Sequence, residues 1–254
     1  MWKYFEYLKL GRRISRDFFF QDAQVKSSNE LNKVGKRTDV INILLSLFKR
    51  ETAYLEIGVR DPKSNFLKIN SRRKFCVDPG FEMKVNEADF KFTSDEFFLK
   101  FRNGEFNNIP NKFDVIFIDG LHTAEQVNRD IINSLDFLAE DGFIVLHDCN
   151  PPTEWHSREK YSFKLSPAGD FWNGTTWKAF LKWRQKTEMF SCCVDIDWGV
   201  GVLSKRLNIG EANKNNNEFF EFENFNKNRS ESLNLISLEK FEAILFNQPK
   251  FDVS

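Results

Sequence analysis

The chain has 254 residues, enough for one sizeable core or for one domain with extensions. Its 37 basic and 37 acidic residues cancel, which argues against a wholly basic nucleic-acid binder. No apolar run reaches the length of a membrane span, and four cysteines without a CxxC pair are expected as reduced thiols in a cytoplasmic protein.

Residues 1–36 read as an irregular or partly helical lead-in, rich in aromatic and basic side chains but without a signal-peptide core. RTDVINILLSLFKR, 37–50, has apolar residues at helical spacing, with Thr38 or Asp39 as its cap. AYLEIGV, 53–59, is a short apolar strand that ends in glycine. RRKFCVDPG, 72–80, holds a second strand over 74–77, and KFDVIFIDG, 112–120, a third. TAEQVNRDIINSLDFLAEDG, 123–142, predicts an amphipathic helix with Val127, Ile131, Leu135 and Leu138 on one face and Gly142 as its stop. FIVLHD, 143–148, follows as a strand whose continuous apolar run suits a sheet covered on both faces.

A further helix is predicted over 175–188, then two strands over 190–196 and 198–205, paired antiparallel across the short link at Asp197. Residues 208–232 are rich in Asn, Glu and Lys and read as mostly solvated, although their phenylalanines argue against complete disorder. A last helix is expected over 235–247. Strands alternating with helices at this spacing imply an α/β fold with a mostly parallel sheet. The expected division is an extension, 1–36, a central domain, 37–206, and a polar linker with a final helix, 207–254.

In an open parallel sheet, ligands bind beyond the carboxyl ends of the strands. Here those ends are Glu56-Ile57-Gly58, Asp78-Pro79, Asp119-Gly120 and His147-Asp148. Gly58 permits close backbone approach. Asp78 stands 22 residues after Glu56, the usual distance for an acid that bonds ribose hydroxyls. VRDPKSNFLK after Gly58 has no second or third glycine, so the pyrophosphate-binding fingerprint is missing. A cofactor with a nucleoside and no pyrophosphate fits better.

YLEIGV, CVDPG, TSDEFF, FDVIFIDGLHTAEQVNRDI, GFIVLHDCNPPTEWH, WNGTTWKA and DIDWGVGVL together resemble class I S-adenosylmethionine-dependent methyltransferases. The likeness is to a bacterial group related to small-molecule and sugar O-methyltransferases and associated with surface-polysaccharide biosynthesis. It runs over roughly 54–205, with a weaker likeness at 235–247. The resemblance implies a Rossmann-like seven-stranded, mostly parallel sheet with a terminal antiparallel strand and flanking helices. It implies cofactor contacts at Glu56, Gly58 and Asp78, with Asp119 near the methionine end or a bound cation. Ser94 and Asp95, after a short strand around 90–92, would approach the adenine.

Methyl transfer to a hydroxyl needs an aligned acceptor and a group that takes its proton. His147 and His122 are the candidate bases, with His147 favoured and Asp148 beside it. Neighbours in a strand point to opposite faces, so His147 and Asp148 share a site only if the strand has already ended. Asp119 and Asp148 together suit a hard cation such as Mg2+. Pro151 and Pro152 would stiffen the turn below a lid, 153–177, whose Trp155, His156, Trp172 and Asn173 are candidate substrate contacts.

The expected activity is methyl transfer from S-adenosylmethionine to a small hydroxylated or saccharide acceptor, not to nucleic acid. NPPTEW, 150–155, resembles the NPPY stretch of nucleic-acid methyltransferases only superficially. A homodimer is compatible with this reading. Two alternatives stay open: a nicotinamide-dependent oxidoreductase, and a non-catalytic binding protein that keeps the fold.

Overall fold

The structure, a computed structural model, describes residues 2–214 and 217–247. Met1, 215–216 and 248–254, which fall in the two expected appendages, lie outside the described residues. The central sheet is built from β1 (Ala53–Ile57), β2 (Arg73–Val77), β3 (Phe113–Ile118), β4 (Leu138–Leu146), β5 (Phe190–Val194), β6 (Val200–Ser204) and β7 (Leu235–Ile236), in the order β2-β1-β3-β4-β6-β5-β7. β2, β1, β3 and β4 are mutually parallel. β6 runs antiparallel to both of its neighbours, and β7 extends the edge parallel to β5.

β1 and β3 are buried along their whole length and β5 nearly so, because the sheet is covered on both sides. On one face Tyr54, Val115, Phe117 and Phe143 pack with Ile41 and Leu44 of α3 (Arg37–Leu45) and with Phe241 of α9 (Leu238–Phe246). On the other face Leu55, Ile116 and Ile144 pack with Phe97 of α4 (Ser94–Arg102), Ile131 of α5 (Ala124–Leu135) and Trp177 of α6 (Thr176–Arg184). Two short helices near the carboxyl end, α7 (Phe222–Lys227) and α8 (Arg229–Leu233), bring Phe225 onto Trp177 with ring centroids 4.5 Å apart. That stack is the use made of the phenylalanines in the polar 208–232 stretch.

The amino-terminal lead-in forms two helices, α1 (Trp2–Ile14) and α2 (Phe18–Leu31). α3 begins after Lys36, not at Thr38 or Asp39, and the Asp39 carboxylate accepts the Lys36 N–H. The helix expected over 123–142 stops at Leu135, and β4 already begins at Leu138. Leu138 continues the helical period, which disguised the change. Its register partner is Phe113, while Phe143 pairs with Val115, so extra residues bulge from β4 between them. Gly142 therefore lies in a strand and is no helix stop. A Cβ there would meet the Asp114 carbonyl at 2.9 Å.

The helix expected over 175–188 spans Thr176–Arg184, and the last helix is preceded by β7. The expected strand around 90–92 is reduced to a single bridge between Val77 and Phe90, so β7 supplies the seventh strand. β5 and β6 pair antiparallel as predicted.

The register positions the site. Ile57 pairs with both Val77 and Ile118, and Ile118 pairs with Leu146, so four strands end level. β6 runs the other way and begins at that same edge, where Gly201 pairs with Leu146. The turn before β6, which carries Asp197, therefore joins the carboxyl ends of the parallel strands.

Candidate active site

Five ionisable side chains from three segments converge on the edge beyond β3 and β4. His122 lies with Nε2 3.2 Å from Asp119 Oδ1 and Nδ1 3.1 Å from Asp148 Oδ2. His147 Nδ1 is 3.2 Å from Asp119 Oδ1 and 3.0 Å from Asp148 Oδ2. Asp197 closes the ring 3.6 Å from His147 Nε2.

His147 and Asp148 face the same space because β4 has ended at Leu146 and Asp148 takes a left-handed conformation, φ +61°. The turn reverses the alternation that would otherwise separate neighbours. It is fixed from below by β6, whose preceding turn accepts the Cys149 N–H at Gly199 (2.9 Å) and the Asn150 N–H at Trp198 (2.9 Å).

Arg37, at the start of α3, brings the counter-charge. Its Nη1 stands 2.7 Å and 3.0 Å from the two ring nitrogens of His147, 3.5 Å from Asp119 and 3.8 Å from Asp197. Burial opposes the ionisation of Asp119, but His147, Arg37 and His122 outweigh it and hold the carboxyl well below its usual range. Asp197 is likewise held low against its burial by His147 and Arg37. Burial alone would drive both imidazoles neutral. Asp148 and Asp119 reverse this and raise His147 and His122, with Arg37 opposing at His147.

The two histidines are not equivalent. His147 is enclosed, with a side chain 7% exposed, whereas that of His122 is 18% exposed. The His122 ring stacks on Trp172 at 5.2 Å, and its Nδ1 also lies 3.3 Å from the Trp172 carbonyl. Asn173 follows, fully buried, and donates from Nδ2 to Asp148 Oδ1 at 2.8 Å. Its Oδ1 has no hydrogen-bond partner. An orphaned buried carbonyl costs about 1–3 kcal/mol, so this atom suits a donor or cation brought by a ligand. Oxygens of Asp119 and Asp148 and a nitrogen of His122 lie within 4.8 Å of one another, a spacing that fits a small divalent cation.

The strand ends nearer β2 form the other half of the edge. Glu56 is buried and accepts from Tyr54 Oη at 2.6 Å and Asn65 Nδ2 at 2.9 Å. Desolvation pushes its carboxyl up to about 7. Asp78 accepts the Arg60 N–H at 2.9 Å and the Gly80 N–H at 2.6 Å, so it ties the loop after β1 to the turn after β2. Gly58, at φ +87°, is demanded by the protein itself: a Cβ there would fall 2.3 Å from the Asp119 carbonyl. Ser94 and Asp95 start α4 and reach α5, where Gln126 Nε2 lies 3.1 Å from Ser94 Oγ and 3.3 Å from Asp95 Oδ1.

Residues 64–149 match a family model described as a methyltransferase domain. The match agrees with the expected methyltransferase over that segment. The chain is also similar in structure to an O-methyltransferase from Bacillus cereus in complex with SAH, at 13% identity over 75% of this chain and 92% of the other, TM-score 0.40. A second likeness is to the SAH-bound Podospora anserina methyltransferase PaMTH1, at 14% identity over 75% and 88%, TM-score 0.42. A third is to MycE methyltransferase of the mycinamycin biosynthetic pathway in complex with Mg, SAH and mycinamycin VI, at 16% identity over 82% and 59%, TM-score 0.44. Scores this low carry no residue correspondence. No curated protein matches the chain.

The matched segment holds Asp78, Asp119, His122, His147 and Asp148, whereas Arg37, Asn173 and Asp197 lie outside it. Arg37 escaped the sequence reading because nothing linear marks it as the partner of residues far along the chain. Asp197 stands in the sequence as the residue of a short turn between two strands. The signal that would have found it is the antiparallel pairing at that turn, which delivers its acid to the parallel strands' carboxyl edge.

The loop between β4 and α6 covers the edge. Arg158 clasps it by donating to the carbonyls of Trp155 (3.0 Å), Phe171 (2.7 Å) and Gly169 (2.8 Å), and Trp172 Nε1 returns a bond to the Arg158 carbonyl at 2.7 Å. Trp155 is half-buried and meets Phe19 of α2 edge to face at 6.1 Å. His156 is fully buried between Thr153 Oγ1 (2.8 Å) and Ser27 Oγ (2.9 Å), and desolvation lowers it to about 4. Unlike His122, it is wholly enclosed, and among the described residues its ring nitrogens meet only hydroxyl groups. Of the four expected substrate contacts, Trp172 and Asn173 join the acid–histidine cluster, and Trp155 and His156 pack the lid against α2.

Proposed function

We propose that the protein transfers the methyl group of S-adenosylmethionine to a hydroxyl of a small hydroxylated or sugar-like acceptor, with His122 as the base. The observation that carries this reading is the His122–Asp148 pair at the carboxyl edge of the matched segment, beside the strand ends of Glu56 and Asp78. S-adenosylmethionine supplies an electrophilic methyl on a sulfonium. The acceptor oxygen forms the new C–O bond as the S–C bond breaks, S-adenosylhomocysteine leaves, and the hydroxyl proton passes to His122 Nε2.

Asp148 and the Trp172 carbonyl orient the ring through Nδ1, the role of the third member in nucleophile-activating triads. His122 is preferred to His147 because it is the more open of the two, while Arg37 and three carboxylates enclose His147. Asp78 and Glu56 would hold the nucleoside end of the cofactor, with Gly58, Ser94 and Asp95 along the same edge.

Asp119 and Asp148 would hold Mg2+, with the unpartnered Asn173 Oδ1 beside them as a further oxygen. A cation there would supply positive charge to an acceptor oxygen and to the three acids. A saccharide acceptor, with a place in polysaccharide biosynthesis, is the proposed occupant of the space beside His122 and Trp172. All four cysteines are free and buried, in keeping with a cytoplasmic location. A homodimer is the assembly proposed for it, to be read by sedimentation.

The test is release of S-adenosylhomocysteine in a screen of hydroxylated acceptors with Mg2+ present. Turnover with at least one acceptor, lost in His122→Gln, is expected. Turnover that survives His122→Gln would remove the base assignment.

A further inference from the structure

Every described side chain of α1 from Lys3 to Ile14 is exposed, including aromatic ones that a water-facing helix does not need. Tyr4 and Tyr7 are each 70% exposed, and Leu8 is half exposed. These three recur with Gly11 and Ile14 at helical spacing and form one apolar stripe. Glu6, Lys9 and Arg13 take the opposite face, and Lys3 and Arg12 flank the stripe. Four basic residues thus stand against one acid in WKYFEYLKLGRRI.

We propose that α1 lies in the surface of an anionic lipid bilayer. The pattern of an apolar aromatic face, basic flanks and low overall hydrophobicity is that of an interfacial helix, with lysine and arginine stems reaching up to the headgroups. Thirteen residues span about 20 Å, short of the roughly 30 Å hydrocarbon core, and the charged face bars the interior. No described helix is long and apolar enough to cross a membrane. The charge decides between the partners that an apolar stripe fits. A second α1 would set positive flank against positive flank, whereas anionic headgroups complement it.

The helix is tied to the lid of the site. Asp17 caps α2 directly after it. Phe18 and Phe19 of α2 remain exposed, while Phe19 touches Trp155 and Ser27 bonds His156. A seated α1 therefore holds the mouth of the site at the interface. The inference rests on α1 alone and stands whether or not the cluster transfers methyl groups.

The test is co-sedimentation of the full chain with vesicles of phosphatidylcholine alone and of equal parts phosphatidylcholine and phosphatidylglycerol. Binding at least about tenfold stronger to the anionic vesicles, weakening with added salt, is expected. The double variant Tyr7→Glu/Leu8→Glu should lose it, with an unchanged melting transition because both side chains are exposed. Lys9→Glu/Arg13→Glu should abolish the preference for anionic lipid. Equal or absent binding to both vesicles, or binding that Tyr7→Glu/Leu8→Glu leaves intact, would overturn the proposal. So would a dimer in sedimentation velocity that this variant dissolves, which would give the stripe to a second copy.

Discussion

His122 Nδ1 lies 3.1 Å from Asp148 Oδ2, and the ring's other nitrogen lies 3.2 Å from Asp119. One imidazole thus joins the loops that follow two adjacent parallel strands. The pairing exists because β3 and β4 end in register and because Asp148 adopts positive φ. A histidine held between two acids at a strand-end crevice is equipped to take a proton and to pass it on.

Replacing His122 with Gln should lower turnover by about 10²–10⁴-fold, the usual contribution of a general base, with little change in S-adenosylmethionine affinity. His147→Gln should act on folding more than on chemistry, since it leaves Arg37 and three acids without their central partner. Single-turnover rates and thermal melts on the two variants separate the roles. Equal rate losses with equal melts would show that the division between the histidines is wrong.

Gly174 controls the position of His122. It sits at φ +60°, and a Cβ there would fall 2.0 Å from the His122 carbonyl. Gly174→Ala should cost on the order of 1–3 kcal/mol in stability and should reduce turnover by displacing His122. Chemical denaturation and steady-state kinetics measure the two effects. An alanine variant as active and as stable as the parent would deny the close packing of the lid on the loop after β3.

Three carboxylates face one guanidinium and two raised imidazoles in the cluster. A divalent cation on Asp119 and Asp148 would supply the same positive charge, so its binding should release protons. Titration of Mg2+ in buffers of different ionisation enthalpy should give heats that scale with the buffer, and Asp148→Asn should abolish them. Chelation should then lower turnover. Activity indifferent to chelator would separate the cluster from any metal.

Glu56 offers a pH test of the cofactor half of the edge. Desolvation raises its folded value to about 7 from an ordinary 4.5, so between those values the folded chain holds a proton that the unfolded chain has lost. Its contribution to stability is therefore present below the ordinary value and falls as pH rises through about 7. Asp130, raised to about 6 by burial, adds a loss of the same sign. Urea midpoints across that window should decline in the parent and decline less in Glu56→Gln. Parallel slopes in the two proteins would show that Glu56 ionises normally.

Much of this edge was legible in the chain. Apolar runs that end at or beside Glu56, Asp78, Asp119 and His147 mark parallel strands that end level at one edge of the sheet. Helix α5 was legible as far as its period was honest. Leu138 kept the period beyond the true end at Leu135, and only the pairing with Phe113 reveals the strand. Gly58 was read as room for a ligand, but the approaching backbone of Asp119 fills that space. Arg37 and Asp197 were illegible because their roles arise from register and strand direction. His156 is expected at the site as part of the lid, but its hydrogen bonds to Thr153 and Ser27 are set by packing of α2 on that lid.

The central claim is that the level strand ends form one cavity for a nucleoside-bearing methyl donor. Calorimetric titration of the folded chain with S-adenosylmethionine, S-adenosylhomocysteine and NAD(H) tests it most directly. The account predicts saturable binding of the first two, weakened by Asp78→Ala, and none of NAD(H). Binding of NAD(H) alone, or of no nucleoside cofactor by a chain with an intact melting transition, would contradict it.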